Sequence, residues 1–229
     1  MLSNQRKTLF ITGGSGEIGS SIVRLFEKNN FEVIAPQSSE LDCSNPKSID
    51  DFFLRTNLPK IISVVHCAGW NEPKPFIEIN DSEMIKSIYI NSFSFLKIVK
   101  HLLPNFIDGE TRVSAISSLY GFLTRKNRLA YTSSKHSLNG IVKELSLELG
   151  ELGILCNSIS PGFIDTKMTR KNNSVDVIND FVSRIPIGRL GTVDDIAKIV
   201  YFITTIQNPY INGQNIVVDG GYSIGGFQN

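Results

Sequence analysis

Short apolar runs rich in β-branched residues alternate along this chain with longer segments in which apolar residues recur every three or four positions. Such alternation is typical of βαβ units, in which helices connect parallel strands and cover both faces of the sheet. The predicted strands are 8–12, 31–35, 61–66, 112–116, 154–159 and 215–218, and the main predicted helices are 18–29, 47–56, 81–104, 131–150 and 193–205. The pattern predicts one α/β domain over residues 1–229, built on a doubly wound parallel sheet.

Composition narrows the class of protein further. Hydrophobic residues make up 41% of the 229 positions, and 23 Lys and Arg against 22 Asp and Glu leave a net charge of +1 without a charged block. We therefore expect no nucleic-acid partner. No apolar run approaches the roughly 20 residues that cross a bilayer, so we expect no membrane segment. Cys43, Cys67 and Cys156 are odd in number and far apart, which predicts reduced thiols, no metal site and a cytoplasmic protein.

The connection between the first strand and the first helix is rich in glycine. Such a turn lets a pyrophosphate approach the backbone, while the helix start supplies free N–H groups and the positive end of its dipole. A glycine-rich turn alone also fits a tight strand-to-helix connection. The residues predicted to bind a dinucleotide here are Thr12, Gly13, Ser15, Gly16, Glu17, Ile18 and Gly19.

A second motif pairs a phenol with an amine. Tyr131 and Lys135 lie four residues apart, and therefore on one face of a helix. A phenol has a pKa of ~10, and a neighbouring ammonium group favours its ionised form, so the pair can act as an acid or base near neutral pH. Ser118, just after a predicted strand, could hydrogen-bond a carbonyl oxygen near the phenol. The spacing alone equally fits an amphipathic helix with a buried Tyr and a surface Lys.

Taken in order, these motifs resemble those of the short-chain dehydrogenase/reductases, and in particular members similar to 3-oxoacyl carrier-protein reductases. The resemblance spans nearly the whole chain, and the matching positions are the glycine turn 12–19, residues 67–69, Asn91, Ser118, Tyr131, Lys135 and the segments 161–166, 185–189 and 213–221. It implies a Rossmann-type fold and hydride transfer between a nicotinamide and the carbonyl or secondary alcohol of a small molecule, free or carrier-bound.

The resemblance also implies roles for individual residues. Tyr131 would exchange a proton with the substrate oxygen, and Ser118 would orient that oxygen. Lys135 would lower the pKa of Tyr131 together with the oxidised nicotinamide, and would bind the nicotinamide ribose. Asn91 would hold a water that links Lys135 to solvent. The cofactor contacts implied elsewhere are Asp42, Cys67, Ala68, Gly69, Pro161, Gly162, Ile164 and Thr166, together with Tyr131 and Lys135 themselves.

Three departures from the family pattern concern the nucleotide. Glu17 replaces the middle glycine of the turn, and His66 replaces an asparagine at the end of the strand, where we expect no proton transfer. Only ten residues separate Phe31 from Asp42, so the usual second helix and third strand are predicted to be shortened or missing.

The same segment bears on the choice of cofactor. A fold that selects NAD places an acid at the end of the second strand, whereas a 2′-phosphate needs donors or cations. Here Gln37 and Ser38 follow the strand and are predicted to contact the cofactor, which favours NADP(H) over NAD(H). Because no Arg is present and Glu40 could reach a ribose, NAD(H) stays open.

Three functions are compatible with the sequence. The leading hypothesis is an NADPH-dependent ketoreductase in a biosynthetic pathway; the alternatives are an NAD-dependent secondary-alcohol dehydrogenase and a non-catalytic dinucleotide-binding protein. Arg125, Lys126 and Arg128 could attract an anionic substrate or an acyl carrier, or could form a solvated loop. The family implies a homodimer or homotetramer assembled through helices 81–104 and 131–150.

Overall fold

The computed structural model describes residues 7–225, which form a six-stranded sheet flanked by helices. The strands are β1 Thr8–Thr12, β2 Glu32–Ile34, β3 Ser63–His66, β4 Arg112–Ile116, β5 Leu155–Pro161 and β6 Asn215–Val218. All neighbouring strands are parallel, in the order β2-β1-β3-β4-β5-β6. The predicted doubly wound sheet is therefore confirmed. The chain changes direction between β1 and β3, and in such sheets a ligand binds at the carboxyl ends of these strands.

Helices cover both faces of this sheet. The helices are α1 Glu17–Lys28, α2 Pro46–Arg55, α3 Asp81–Ile88, α4 Ser94–Leu102, α5 Leu129–Glu148, α6 Lys167–Asn172, α7 Val175–Arg184, α8 Val193–Ile203 and α9 Tyr222–Gly225. Strand side chains alternate between the faces. Phe10 packs in a cluster with α2, α4 and α5, whereas Leu9 and Ile11 pack on the other face with α1 and α8. The sequence pattern of β1 thus supplies both halves of the core.

The connection from β2 to α2 is short, as predicted. Between Ile34 and Pro46 the structure contains no helix or strand. A turn formed by residues 37–41 replaces them, since the N–H groups of Glu40 and Leu41 both donate to the Gln37 carbonyl. Leu41 is buried in the core beneath this turn. Its side chain therefore anchors this short segment, although the segment has no helix or strand.

The predicted helix 81–104 is divided in the structure. α3 ends at Ile88, a π-helical turn occupies Tyr89–Phe93, and α4 continues to Leu102. Asn80 caps the N-terminus of α3. The Asn80 side chain accepts a hydrogen bond from the Glu83 N–H at 3.0 Å, and the Glu83 side chain accepts one from the Asn80 N–H at 3.1 Å. This reciprocal pair is a capping box. The π-helical turn carries Asn91 and turns its side chain into the protein.

Within residues 7–225, no helix combines the length and apolar character that crossing a membrane requires. The same residues contain no group of three or more His, Cys, Asp or Glu side chains placed to hold a metal ion.

Candidate active site

Two connected cavities open at the carboxyl ends of β1, β3, β4 and β5. The first, here called the nucleotide groove, runs from the glycine turn past residues 67–70 to Lys135. The second, here called the distal pocket, runs from Ser118 to Arg125 and Asn173. The residues that line both cavities are Ile18, Ile116, Ser117, Tyr131, Thr166 and Met168. The predicted catalytic tyrosine therefore stands where the two cavities meet.

The glycine turn has no room for side chains at two of its positions. Gly13 has a φ of +67°, and a Cβ there would lie 2.6 Å from the Ala68 nitrogen. A Cβ on Gly19 would lie 2.1 Å from the Gly13 oxygen. The turn therefore packs directly against the end of β3 and the start of α1. Gly16 precedes α1 and no side chain caps the helix, so its first N–H groups and dipole fit a pyrophosphate.

The acidic departure in this turn has a defined partner. A Glu17 carboxylate oxygen accepts a hydrogen bond from the backbone N–H of Lys167, at 2.6 Å. Lys167 begins α6, on the segment that follows β5. The negative charge of Glu17 is thus tied to the opposite wall of the nucleotide groove, and this bond joins the two sides of the cleft.

His66 links the end of β3 to the π-helical turn. The Thr12 hydroxyl donates to His66 Nδ1 at 2.9 Å, and His66 Nε2 donates to the Ile90 carbonyl at 3.2 Å. Burial, together with a smaller effect from the Lys135 charge, lowers the pKa of His66 to about 3. The imidazole is therefore neutral and both its nitrogens are bonded within the protein, which gives it a structural role.

Asn91 fastens the loop after β3 to α5. Its Oδ1 accepts from the Trp70 N–H at 2.8 Å, and its Nδ2 donates to the Trp70 carbonyl at 2.9 Å and to Ser134 Oγ at 2.8 Å. A Cβ on the neighbouring Gly69 would lie 3.3 Å from Asn91 Oδ1 and 3.8 Å from Lys135 Nζ. Asn91 Oδ1 and Lys135 Nζ thus both lie beside Gly69. The water that it is predicted to hold stays a prediction.

Tyr131 and Lys135 lie on one face of α5, as their spacing requires. Lys135 Nζ lies 5.6 Å from the Tyr131 ring centroid and donates to the Ile116 carbonyl at 2.7 Å. Burial lowers the pKa of Lys135 to about 8. Burial also raises the pKa of Tyr131 to about 12, although a hydrogen bond with Ser118 opposes this rise.

The raised pKa of Tyr131 belongs to the protein without its cofactor. The lowering of this pKa by Lys135 together with an oxidised nicotinamide stays a prediction. In the protein alone, the loss of hydration outweighs every favourable charge, because an anion loses more solvation than a neutral phenol. The phenol is therefore protonated at neutral pH and can act as a proton donor.

Two adjacent serines follow β4. Ser118 Oγ accepts from the Tyr120 N–H at 3.2 Å and faces the distal pocket beside Tyr131. Ser117 was not predicted, yet it lines both cavities and its buried hydroxyl has no hydrogen-bond partner. Its position directly before Ser118, at the end of a buried strand, is the signal that could have identified it.

The remaining predicted cofactor residues fall into groups. Gly13, Gly16, Glu17, Ile18, Gly19, Cys67, Ala68, Gly69 and Thr166 line the nucleotide groove, whereas Pro161, Gly162 and Ile164 line the distal pocket. Thr12 is buried beneath the turn and Ser15 is exposed. Gln37, Ser38 and Asp42 lie near the end of β2 and line neither cavity. Asp42 instead accepts from the backbone N–H and hydroxyl of Ser44, at 2.8 Å and 2.7 Å.

This fold and this site define an oxidoreductase acting on carbonyl or CH–OH groups. A family model named adh_short_C2, described as enoyl-(acyl carrier protein) reductase, matches residues 12–223. The chain belongs to the short-chain dehydrogenase/reductase family.

Known proteins similar to this chain agree with that assignment. The 3-oxoacyl-(acyl-carrier-protein) reductase FabG of Rickettsia felis is 32% identical, over 96% of this chain and 98% of its own length. A structure of 4-hydroxyisoleucine dehydrogenase complexed with NADH is 26% identical, covers 95% of this chain and 99% of that one, and has a TM-score of 0.85. A structure of a blue fluorescent protein from a metagenomic library, in complex with NADPH, is 24% identical and has a TM-score of 0.84. The match covers 95% of this chain and 98% of that one.

The pKa of Lys135 gives a first prediction, for the protein without cofactor. Its pKa is about 8 in the folded protein and 10.5 for an ordinary lysine, so between these pH values the unfolded state binds more protons. Stability arising from this group therefore rises with pH in that window. We expect the free energy of unfolding of wild type, minus that of Lys135→Met, to increase from pH 8 to 10.5 by roughly 3 kcal/mol at most. Urea denaturation at several pH values measures this difference.

The control is Lys143→Met, which removes an exposed lysine from the same helix. An exposed ammonium keeps its hydration on folding. The free energy of unfolding of wild type minus that of Lys143→Met should therefore not rise between pH 8 and 10.5. The burial argument would be wrong if the Lys135→Met difference were independent of pH.

Proposed function

We propose that this protein is an NADPH-dependent ketoreductase that reduces a carbonyl to a secondary alcohol. The observation that carries the proposal is the neutral Tyr131 phenol, placed between Lys135 and Ser118 at the junction of the two cavities. A phenol with a pKa of about 12 holds its proton at neutral pH, as proton donation to a carbonyl requires. The oxidative alternative, an NAD-dependent secondary-alcohol dehydrogenase, would use the same groups for the reverse proton transfer with an oxidised nicotinamide bound.

The residues of the site divide the chemistry among them. A reduced nicotinamide supplies hydride to the carbonyl carbon when it is bound in the nucleotide groove. Ser118 donates a hydrogen bond to the carbonyl oxygen and stabilises the charge that develops there. Tyr131 transfers its proton to that oxygen. The Lys135 ammonium, held beside the ring, then stabilises the phenolate until it is protonated again.

The turn after β2 supports a preference for NADP(H). Ala35 and Pro36 follow the strand, so no acid stands at its end. The Glu40 carboxylate accepts from the Gln37 N–H at 2.8 Å and is thus held within its own turn. Ser38 is exposed on that turn and could donate to a 2′-phosphate. The two similar solved structures do not decide between the cofactors, since the blue fluorescent protein is in complex with NADPH and 4-hydroxyisoleucine dehydrogenase with NADH.

The relatives also support a class of substrate. The reductase from Rickettsia felis is named for a 3-oxoacyl group on an acyl carrier protein, which makes a carrier-bound ketone in a biosynthetic pathway one candidate. The non-catalytic alternative is disfavoured. Glu17 bonds to Lys167 and leaves the turn intact, and Ser118, Tyr131 and Lys135 converge at the two cavities.

The assignment of Tyr131 is tested by removing one oxygen. We expect Tyr131→Phe to lower kcat by about a thousandfold, because positioned acid catalysis contributes on the order of 10²–10⁴. A panel of ketones and 3-oxo compounds, supplied with NADPH and with NADH, identifies a substrate, and absorbance of the reduced cofactor follows turnover. Tyr201→Phe, on α8, is the control and should retain activity. Wild-type turnover by Tyr131→Phe would refute the mechanism.

Cofactor preference is tested by nicotinamide fluorescence. We expect NADPH to bind at least about tenfold more tightly than NADH, because a charge-assisted hydrogen bond contributes roughly 1.5–3 kcal/mol. Ser38→Asp should weaken NADPH binding by a similar factor and spare NADH, since the new carboxylate repels a 2′-phosphate. Ser183→Asp adds the same charge on α7 and serves as the control. Equal binding of both cofactors by wild type would contradict the preference.

Assembly into a homodimer or homotetramer is also proposed. The helices through which the family assembles expose large apolar side chains: Ile85 is 66%, Phe93 49% and Leu147 71% exposed. We expect light scattering to give a mass of two or four chains of 25.4 kDa. Phe93→Glu should lower that mass if α3 and α4 form the contact, whereas Leu54→Glu, on α2, should not. A wild-type mass of one chain would exclude the assembly.

A further inference from the structure

Arg128 is a buried cation whose charge is not balanced within the protein. It precedes α5, is 5% exposed and lines the distal pocket. Its Nε and Nη1 atoms have no hydrogen-bond partner, and none of the ion pairs within residues 7–225 includes it. Burial lowers the pKa of the guanidinium, with a smaller opposing effect from Tyr120. An unpaired buried charge of this kind is costly, so a ligand that supplies the opposite charge gains by binding here.

The unpaired polar atoms of the protein are concentrated in the same cavity. Six buried side-chain atoms among the described residues have no hydrogen-bond partner. Two belong to Arg128, one is Asn71 Oδ1 and one is Ser117 Oγ, and these three residues line the distal pocket; the other two atoms are on Thr132 and Asn139. Because native proteins rarely leave buried polar atoms unpaired, this grouping indicates a pocket built for a polar ligand.

The charge of the pocket identifies the kind of ligand. The described residues that line it include Arg125 and Arg128 but neither Asp nor Glu. Arg125 donates to Asn173 at 3.1 Å and lies 5.0 Å from the Phe181 ring centroid, so its guanidinium is already supported by neighbouring side chains. Arg128 shares a side-chain hydrogen bond with Tyr120, but its Nε and Nη1 atoms are left without a partner. The pocket therefore favours an anion, and the free donors on Arg128 are the ones available to it.

The anion site lies close to the reacting carbonyl. Arg128 directly precedes α5 and Tyr131 lies in the first turn of that helix, both line the distal pocket, and the Arg128 charge lowers the pKa of Tyr131 against the effect of burial. A group bound by Arg128 is therefore only a few bonds from a carbonyl that faces Tyr131 and Ser118. A carboxylate suits the site because its planar oxygens match the guanidinium donors.

We propose that the substrate is a small oxo acid, with its carboxylate on Arg128 and its ketone at Tyr131 and Ser118. This inference rests on the proposed ketoreductase function and defines its substrate class. A 3-oxoacyl thioester carries no charge at this distance and would leave Arg128 unpaired. The two substrate classes thus differ in one negative charge near Arg128, which the oxo acid carries and the carrier-bound thioester lacks.

The test compares matched substrates that differ only in that charge. Short 2-, 3- and 4-oxo acids are assayed against their methyl esters and a 3-oxoacyl thioester, with saturating reduced cofactor. We expect the best acid to exceed its ester at least about 100-fold in kcat/KM, because a charge-assisted buried contact is worth several kcal/mol. Arg128→Met should lower this acid-to-ester ratio at least 20-fold and Arg128→Lys should lower it less, while Arg55→Met, a change on α2, should leave it unaltered.

The outcomes separate the two proposals. If wild type reduces the ester or the thioester as well as the acid, the oxo-acid inference is overturned and the ketoreductase stands. If no carbonyl compound is reduced although the reduced cofactor binds, the ketoreductase proposal fails, and the inference fails with it. Nucleotide fluorescence confirms that Arg128→Met is folded. Should that variant not fold, the acid-to-ester ratio of wild type alone decides, since a ratio near one overturns the inference.

Discussion

The bond from Lys135 Nζ to the Ile116 carbonyl is the contact on which the site depends. It ties α5 to the end of β4, while Leu138, Val142 and Leu145 pack the same helix into the core. Tyr131, one turn earlier on the helix, lies at the junction of the two cavities. Burial of this face of α5 also accounts for the electrostatics, because the loss of hydration lowers the pKa of Lys135 to about 8 and raises that of Tyr131 to about 12. Position and protonation of the catalytic pair thus both follow from the packing of α5 against the sheet.

Other walls of the cleft are joined by the same kind of contact, in which a side chain bonds a distant backbone group. Asn91 holds Trp70, and Glu17 holds Lys167. These bonds explain two features of this chain, namely the π-helical turn that carries Asn91 and the acidic residue in the glycine turn. The π-helical turn supplies the bend that aims Asn91 inward, and π-helical turns are frequent at functional sites. The acid in the glycine turn bridges the cleft to the segment that starts α6.

The sheet and the position of the motifs follow from sequence because they depend on local patterns. Alternation in β1 predicts both faces of the core, and ten residues after Phe31 are too few for a helix and a strand. Features set by long-range packing were not predicted in this way. The raised pKa of Tyr131, for example, depends on burial by segments far along the chain. The sequence likewise left Arg128 open between a solvated loop and an anion site, because its burial depends on the distal pocket.

Arg128 and Lys135 are both buried cations outside any ion pair of residues 7–225, yet they respond differently to that burial. Lys135 can release a proton near pH 8 and so relieve the cost of its burial. An arginine stays charged in proteins because its intrinsic pKa exceeds about 12. A proton can thus adjust the charge of Lys135 during the reaction, whereas Arg128 gives the distal pocket a fixed positive charge. That charge also acts on the catalytic phenol, since it lowers the pKa of Tyr131 against the larger effect of burial. The same cation therefore faces both the distal pocket and the proton donor.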